Sequence, residues 1–261
     1  MPQDPSLSIR LIGGPTLLIN YGGLRLVTDP TFDAPGPYDV GGRLLTKLTP
    51  PALTPEDIGS VDAVLLSHHQ HVDNLDRKGV EWLRRQHRVL TTGSGVNALR
   101  TGTALPVWET AHLSERLNVR VTGLPARHGP VGCEPVVGEV MGFLLEGEHL
   151  PTIYVSGDNA SLEVVSAIAM RCPTIDVAVL FCGAARTVLC DYQNLTLGSE
   201  EAVVAARILG FPIVVPAHFE GWGHFTEGAD TLRQAFERAT EHLRLLERGE
   251  VYDYPAAMGR G

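Results

Sequence analysis

A short segment of the chain concentrates side chains that can bind a metal ion. Three histidines and two aspartates lie between residues 68 and 76, in the stretch SHHQHVDNLD, directly after the apolar run AVLL. Neutral imidazoles and ionised carboxylates are the groups that hold zinc and similar divalent ions, at about 2.0–2.2 Å. The segment therefore predicts a metal site at the point where a strand ends.

Further candidate ligands follow three other apolar runs that have the composition of strands. His128 comes soon after NVRVTGLPA, Asp158 after TIYVS, and His218 after PIVVPA. Because loops at strand ends converge in sandwich and α/β proteins, these residues are expected to line one cleft. Nitrogen and oxygen donors dominate the set, which argues against an iron–sulfur or cysteine-type structural zinc site. Four other histidines are expected to be solvated or packing residues: His87, His112, His149 and His242.

The elements that would position these residues alternate between strands and helices. Glycine pairs at 13–14 and 22–23 divide the first segment into three strands, which predicts a β-meander. Later strands are expected at about residues 88–91, 118–126, 138–146, 152–156, 175–181 and 212–216, and helices at 77–87, 161–171, 198–209 and 229–247. The simplest interpretation is an α/β fold with two sheets and helices outside them.

Composition limits the classes of protein that fit. The chain has 261 residues, 44% of them hydrophobic, which is enough for one large or two small domains with a core. A net charge of −9 argues against a nucleic-acid partner. The chain has no long apolar run and its start, MPQDPSLSIR, has no basic or apolar leader region, so we expect no membrane span and a cytoplasmic location. The four cysteines form no CxxC pair and are expected to be thiols, not disulfides.

Five motifs in order resemble the metallo-β-lactamase superfamily, and more narrowly the branch that contains L-ascorbate-6-phosphate lactonase. They are GGPTLLINYGGLRLVTDPTFD, the stretch from Ser67 to Asp76, PARHGP, YVSGDNA and VPAHFEGWGHF, and they span nearly the whole chain. The resemblance implies one domain over residues 1–261. It also implies an αββα sandwich, in which two mixed sheets are flanked by helices.

The resemblance also implies two sets of three metal ligands: His68, His71 and His128 for the first ion, and Asp73, Asp158 and His218 for the second. The chain departs from the usual His-x-His-x-Asp-His run by one inserted residue and by Asn74 at the place of the third histidine. His69 is the alternative to His68, because His69-Gln70-His71 keeps the usual spacing. An amide oxygen is a poorer zinc ligand than imidazole, so one or two zinc ions per chain are both left open, with manganese as an option at the second site.

Several neighbouring residues are expected to support the site without binding metal. Asp76 fits a helix N-cap or a partner of a ligand histidine, and Asp29 fits a structural role. In the loop HFEGWGHF, Trp222 is expected to face the cleft, and His224 is expected to contact substrate or metal.

These residues predict a metal-dependent hydrolase. A zinc-type ion lowers the pKa of bound water to about 7, which supplies metal-bound hydroxide, and it polarises a carbonyl or phosphoryl oxygen. By analogy with the superfamily, Asp73 would orient that water, and we assign catalytic roles to Asp73 and His224. The expected partner is a small ester, lactone or phosphoester. A homo-oligomer is left open.

Two main alternatives to this function remain open, and redox di-iron chemistry is a third, minor one that no sign of a flavin partner supports. A metal-binding but catalytically idle module would result if Asn74 left one site empty. A phosphodiesterase or nuclease of the same superfamily would be expected to carry an added domain and a basic surface, which neither the length nor the charge of this chain favours.

Overall fold

The computed structural model describes residues 7–115 and 118–255. Its strands are β1 (Leu7–Gly13), β2 (Thr16–Tyr21), β3 (Leu24–Thr28), β4 (Gly36–Val40), β5 (Arg43–Lys47), β6 (Ala63–Leu65), β7 (Val89–Thr91), β8 (Thr103–Ala104), β9 (Thr110–Ser114), β10 (Val119–Pro125), β11 (Met141–Glu146), β12 (Ile153–Val155), β13 (Val177–Phe181), β14 (Ile213–Ala217) and β15 (Val251–Asp253). Its α-helices are α1 (Pro55–Ile58), α2 (Arg77–Leu83), α3 (Gly93–Leu99), α4 (Glu134–Val137), α5 (Leu162–Arg171), α6 (Ser199–Ile208) and α7 (Ala229–Ala235).

The first sheet contains seven strands within the described residues, in the order β15-β1-β2-β3-β6-β7-β8. Strands β1, β2 and β3 pair antiparallel, which confirms the predicted meander, and β3, β6, β7 and β8 are parallel. Gly14 and Gly22 make the two tight turns with φ of 56° and 55°. This left-handed conformation is unfavourable for residues that carry a Cβ.

The second sheet contains six strands in the described part of the chain, in the order β14-β13-β12-β11-β10-β9. Strands β12, β13 and β14 are parallel, while β10 and β12 each pair antiparallel with β11. The carboxyl ends of β10, β12, β13 and β14 therefore lie at the same edge of the sheet. A separate hairpin, β4 paired with β5, lies outside both large sheets.

Apolar side chains from the two sheets form the main core, which includes Ile19 of β2, Phe143 of β11 and Val179 of β13. Helix α2 covers the outer face of the first sheet with Trp82 and Leu83. Helices α5, α6 and α7 contribute buried residues to the same core, next to the second sheet. This α/β arrangement of mixed sheets flanked by helices confirms the predicted fold class.

The prediction of a long helix at 229–247 is wrong, because α7 ends at Ala235. The chain turns after Phe236, and Leu243 lies as a parallel bridge beside Val214 at the open edge of β14. The N–H of Arg244 donates to the carbonyl of Val214 at 2.8 Å. The extended conformation gives this segment backbone hydrogen bonds to an edge strand and buries Leu246. These interactions stabilise it more than the helix that its apolar spacing suggested.

The prediction of free thiols is wrong for two of the four cysteines. Cys133 and Cys190 form a disulfide, with their Cα atoms 5.8 Å apart. Cys172 and Cys182 are free thiols, as expected. The first pair is 57 residues apart in sequence and only the fold brings it together, so no spacing rule could have indicated it.

No helix within residues 7–115 and 118–255 combines the length and the apolar character needed to cross a membrane. The expectation about a leader rested on residues 1–10, of which 1–6 lie outside the described residues.

Candidate metal centre

The loop from residue 67 to residue 76 is held at both ends. At its start, the backbone N–H and the hydroxyl of Ser67 both donate to Oδ1 of the buried Asp29, at 2.9 and 2.7 Å. At its end, Asp76 is the N-cap of α2, since its Oδ1 accepts the N–H of Gly79 at 2.8 Å. The other Asp76 oxygen accepts a hydrogen bond from the buried Lys47 ammonium at 2.9 Å. The expected N-cap role of Asp76 is thus confirmed, and the loop between the two anchors has little freedom.

Three imidazoles and one carboxylate meet at the edge of the two sheets. One ligand-type atom from each of His68, His71, His128 and Asp158 lies within 4.8 Å of all the others. Nδ1 of His71 is 2.9 Å from Nε2 of His68 and 3.1 Å from Nε2 of His128. Two donors that share one tetrahedral zinc ion lie about 3.3 Å apart, given bonds of about 2.0–2.1 Å. The spacing of the three nitrogens is therefore close to that of a metal site.

The ring nitrogens of His68 and His128 that point away from the cluster are hydrogen-bonded, which leaves the other ring nitrogen of each with a lone pair facing the cluster. Nδ1 of His128 donates to the carbonyl of Leu195 at 2.6 Å, so its Nε2 carries no proton in the neutral ring. Nδ1 of His68 lies 2.9 Å from the hydroxyl of Ser67, which has already given its proton to Asp29. Two lone pairs thus point toward Nδ1 of His71, which can offer at most one proton. A bound cation would satisfy all three nitrogens together.

A second set of donors lies on the other side of Asp158. Nε2 of His218 is 3.4 Å from Oδ2 of Asp73 and 3.5 Å from Oδ1 of Asp158. Both ring nitrogens of His218 are buried and lack a hydrogen-bond partner among the described residues. The residue adopts a left-handed backbone with φ of 54°, and its N–H donates to the carbonyl of Gly14 at 2.8 Å. A non-glycine residue keeps such a conformation only where its surroundings hold it, as is common at functional sites.

The protonation states of His68, His71 and Asp158 suit metal binding. Burial holds the pKa of His68 well below its usual value and lowers the pKa of His71 to about 4, so both rings are neutral near pH 7. Burial alone would raise the pKa of Asp158, but the neighbouring His218 and His128 hold it well below the usual range. Neutral imidazoles and an ionised carboxylate are the forms that bind zinc.

Asp158 and His218 influence each other strongly. Burial opposes the charged form of His218, yet the carboxylates of Asp158 and Asp73 raise its pKa to about 10 in the metal-free protein. The two carboxylates thus favour a positive charge at this position, which is the charge that a bound cation would supply. The donor set, the unpartnered nitrogens and this charge pattern all fit a divalent ion.

The structure distinguishes between residues that the sequence left as alternatives. His68 is fully buried in the cluster, whereas His69 is half-buried and is not part of it. His224 reaches the site, where its Nε2 lies 2.9 Å from Oδ2 of Asp73. Asp158 was assigned to the second set alone, but its two oxygens face different sets, because Oδ2 is 3.4 Å from Nε2 of His128.

Asn74 is buried beside the cluster and donates its amide N–H to Oδ1 of Asp158 at 3.2 Å. Its own Oδ1 is buried without a partner in the described chain. Asp29 is buried and bonds to Ser67, as expected for a structural residue, and burial holds its pKa well above the usual range. The expectation that Trp222 faces the cleft is wrong. Its side chain is 3% exposed and packs against the ring of Tyr38 at 5.3 Å.

The cluster forms the floor of a cleft with a volume of about 290 Å³. The hairpin β4–β5, helix α4 and the segment at residues 185–195 supply its walls. These walls are largely apolar, and the charged residues that line them are Arg43 and Arg186. None of the three wall segments could be assigned to the cleft from the sequence, because none of them contains a metal-ligand pattern or a strong periodicity.

A model of the beta-lactamase superfamily domain matches residues 24–219, which include every residue of the cluster. The chain belongs to the metallo-β-lactamase superfamily. Among curated superfamily relatives, a UPF0173 metal-dependent hydrolase of Methanoregula boonei is 29% identical over 145 residues, which are 52% of this chain and 59% of that protein. A second one, from Christiangramia forsetii, is 28% identical over 113 residues, 43% of this chain and 45% of that protein. The matched part thus spans about half the length of these relatives.

Solved structures extend the similarity to the whole fold. An isothiocyanate hydrolase from Delia radicum gut bacteria has a TM-score of 0.84 at 20% identity, over 95% of this chain and 99% of that protein. At such identity the likeness shows the superfamily fold and leaves the substrate open.

Proposed function

We propose that this chain is a metal-dependent hydrolase of a small ester, lactone or phosphoester. The observation that carries the proposal is the meeting of three imidazole nitrogens, at least two of which present lone pairs, at the floor of a cleft. The names of the curated relatives support metal-dependent hydrolysis in general terms. The narrower likeness to the ascorbate-6-phosphate lactonase branch remains a prediction.

The first ion would be held by His68, His71 and His128, with Oδ2 of Asp158 beside them. The second would be held by Asp73, His218 and Oδ1 of Asp158. Zinc fits the imidazole-rich set, and the oxygen-richer set would bind zinc less tightly or admit manganese. When bound, such an ion acts as a Lewis acid that acidifies water and polarises a carbonyl or phosphoryl oxygen.

The protein's own residues would orient the reacting groups. Asp73 is held by Nε2 of His224, and its pKa stays well below the usual range although burial opposes this, so it remains an ionised acceptor. Nδ1 of His224 has no hydrogen-bond partner among the described residues, and the ring lines the cleft. That nitrogen is buried, so the role proposed for His224 rests on the position of its ring at the cleft and on its hydrogen bond to Asp73. Asn74 restrains the rotation of the Asp158 carboxylate through its amide N–H.

The test compares His128→Ala with the matched control His149→Ala, which removes an imidazole that is 81% exposed and far from the cluster. Metal content is measured by inductively coupled plasma mass spectrometry on freshly purified protein, and the fold by circular dichroism. Hydrolysis is measured with a lactone, 4-nitrophenyl acetate, bis(4-nitrophenyl) phosphate and an isothiocyanate, the last because of the name of a structural neighbour.

We expect His128→Ala to lower both metal content and hydrolysis. Loss of a residue that only hydrogen-bonds to a metal ligand reduces activity about 10–100-fold, and loss of the ligand itself should reduce it further. The control variant should behave as wild type. Bound metal without hydrolysis of any substrate would favour the idle metal-binding module. Unchanged metal content in a folded His128→Ala protein would remove the proposed site.

A further inference from the structure

Two arginines from different wall segments line the cleft. Arg43 begins β5 of the hairpin, and Arg186 lies in the segment that follows β13. Nη1 of Arg43 donates to the hydroxyl of Thr187, which joins the two walls at the cleft mouth. Nε of Arg186 donates to Oδ1 of Asn194 at 2.7 Å, and the amide of Asn194 is held in turn by Glu201 at 3.0 Å. Both guanidinium groups are therefore oriented by neutral oxygens.

Neither arginine forms an ion pair with a carboxylate among the described residues. Other arginines of the chain do form such pairs, including Arg120 with Glu146 and Arg127 with Glu163. Arg43 and Arg186 thus bring two positive charges into a largely apolar wall without a paired carboxylate among the described residues. Each guanidinium has five N–H donors and uses one of them in the hydrogen bonds found here, so most of its donors remain available.

The rest of the cleft wall is mostly apolar, with Thr187 and Tyr192 as its polar members. Leu44 and Leu45 come from the hairpin, Val136 and Val137 from α4, and Val188 from the segment at residues 185–195. The volume of about 290 Å³ lies at the small end of ligand pockets, which are about 300–1,000 Å³. Such a site suits a small molecule with an apolar body, and the arginines add a requirement for negative charge.

We propose that Arg43 and Arg186 select substrates that carry an anionic group, a carboxylate or a phosphate, on an apolar body. This inference rests on the proposed hydrolase function and deepens it by naming the substrate class. The anionic group binds the guanidinium donors at the cleft mouth, and the apolar part lies along the wall between the mouth and the histidine cluster. Arginine is suited to this role because its planar donors match both carboxylate and phosphate oxygens.

The test uses binding and hydrolysis together. Hexanoate, butyl phosphate and neutral hexanamide are titrated by calorimetry into wild type, Arg43→Gln, Arg186→Gln and the double variant, all with measured metal content. Arg207→Gln on α6 is the control for the loss of one exposed positive charge. The same proteins are assayed with 4-nitrophenyl pentanoate and with the mono-4-nitrophenyl ester of glutarate, which has a similar chain but ends in a carboxylate.

We expect each arginine variant to weaken anion binding about tenfold, the usual effect of a charge-assisted hydrogen bond. Binding of hexanamide and the properties of Arg207→Gln should stay unchanged. In hydrolysis, the preference in kcat/KM for the glutarate ester should fall by a similar factor. A loss confined to hexanoate or to butyl phosphate supports the inference and identifies the anion.

Two outcomes separate this inference from the proposed function. Anion binding that is the same in wild type and in the double variant would overturn the inference, even if the neutral ester is hydrolysed normally. Arginine-dependent anion binding without hydrolysis of either ester would support the anion site and contradict the proposed hydrolase activity.

Discussion

Gly79 lies on the face of α2 that packs against the loop after β3. A Cβ added to it would lie 2.9 Å from the carbonyl carbon of Pro30, closer still to the carbonyl oxygen, and 3.2 Å from Oδ1 of Asp76. Helix propensity alone favours alanine over glycine by about 1 kcal/mol. The steric clash opposes this gain, because the obstacle is backbone and cannot turn aside.

The size of the effect follows from these contacts. Overpacking a closed site costs about 1–3 kcal/mol. Moving α2 away from Pro30 would also strain the 2.8 Å hydrogen bond between Asp76 and Gly79, and loss of such a cap costs about 0.5–2 kcal/mol. After the propensity gain is subtracted, we expect Gly79→Ala to lower the free energy of unfolding by about 2 kcal/mol. For a protein of this size the midpoint of thermal unfolding should fall by roughly 4–8 °C.

The assay is urea unfolding followed by circular dichroism, with Gly93→Ala as the matched control. Gly93 is also helical, but a Cβ there would meet nothing within 4 Å. The control should therefore gain a few tenths up to about 1 kcal/mol. Because Asp76 ends the loop that carries His68 and His71, Gly79→Ala should also lower metal content. A Gly79→Ala protein as stable as the Gly93→Ala control would refute the close packing of α2 on Pro30.

Three further predictions concern the site and its supports. Asn74→His should raise metal content toward two ions per chain in a metal titration, since it adds an imidazole where an amide now bonds Asp158; an unchanged ratio would point to another ligand. Replacing Cys133 and Cys190 by serine should lower the free energy of unfolding by about 2–4 kcal/mol under non-reducing conditions, because a cross-link over 57 residues restricts the unfolded chain. Wild-type protein in dithiothreitol should be as stable as this variant. If wild type is equally stable with and without the reductant, the disulfide is contradicted. Burial lowers the pKa of His71 to about 4, so the unfolded chain binds a proton near pH 6.5 that the native state does not. The free energy of unfolding of the metal-free protein should therefore fall by up to about 3 kcal/mol as pH falls from 6.5 to 4. The His71→Gln variant should lose less stability over the same range. A stability difference between the two proteins that does not change with pH would contradict this prediction.

Much of the candidate site could be predicted because its residues follow strands directly. His128, Asp158 and His218 each come at the carboxyl end of an apolar run, and parallel strands bring such ends to one edge of a sheet. The meander of β1, β2 and β3 was equally accessible, since its turns depend on local glycine conformations. These features arise from short-range backbone preferences, which a single segment carries by itself.

Other features depended on residues far apart in sequence. His68 and His69 are adjacent and chemically identical, and the hydrogen bonds of Ser67 to Asp29 decide which ring enters the cluster. The apolar spacing of Leu243 and Leu246 fits a helix as well as an extended chain, and the open edge of β14 selects the latter.

Three features could be predicted from the chain alone: the ligand types, the order of the strands that deliver them and the likeness to the superfamily. Three others became visible only in the folded chain: the contacts of the two Asp158 oxygens with different donor sets, the bond between Cys133 and Cys190, and the presence of Arg43 and Arg186 in one cleft. The physical reason is that a local pattern specifies which groups a segment offers. The distances between groups on different segments follow from how the sheets, helices and loops pack, and packing depends on the whole chain at once.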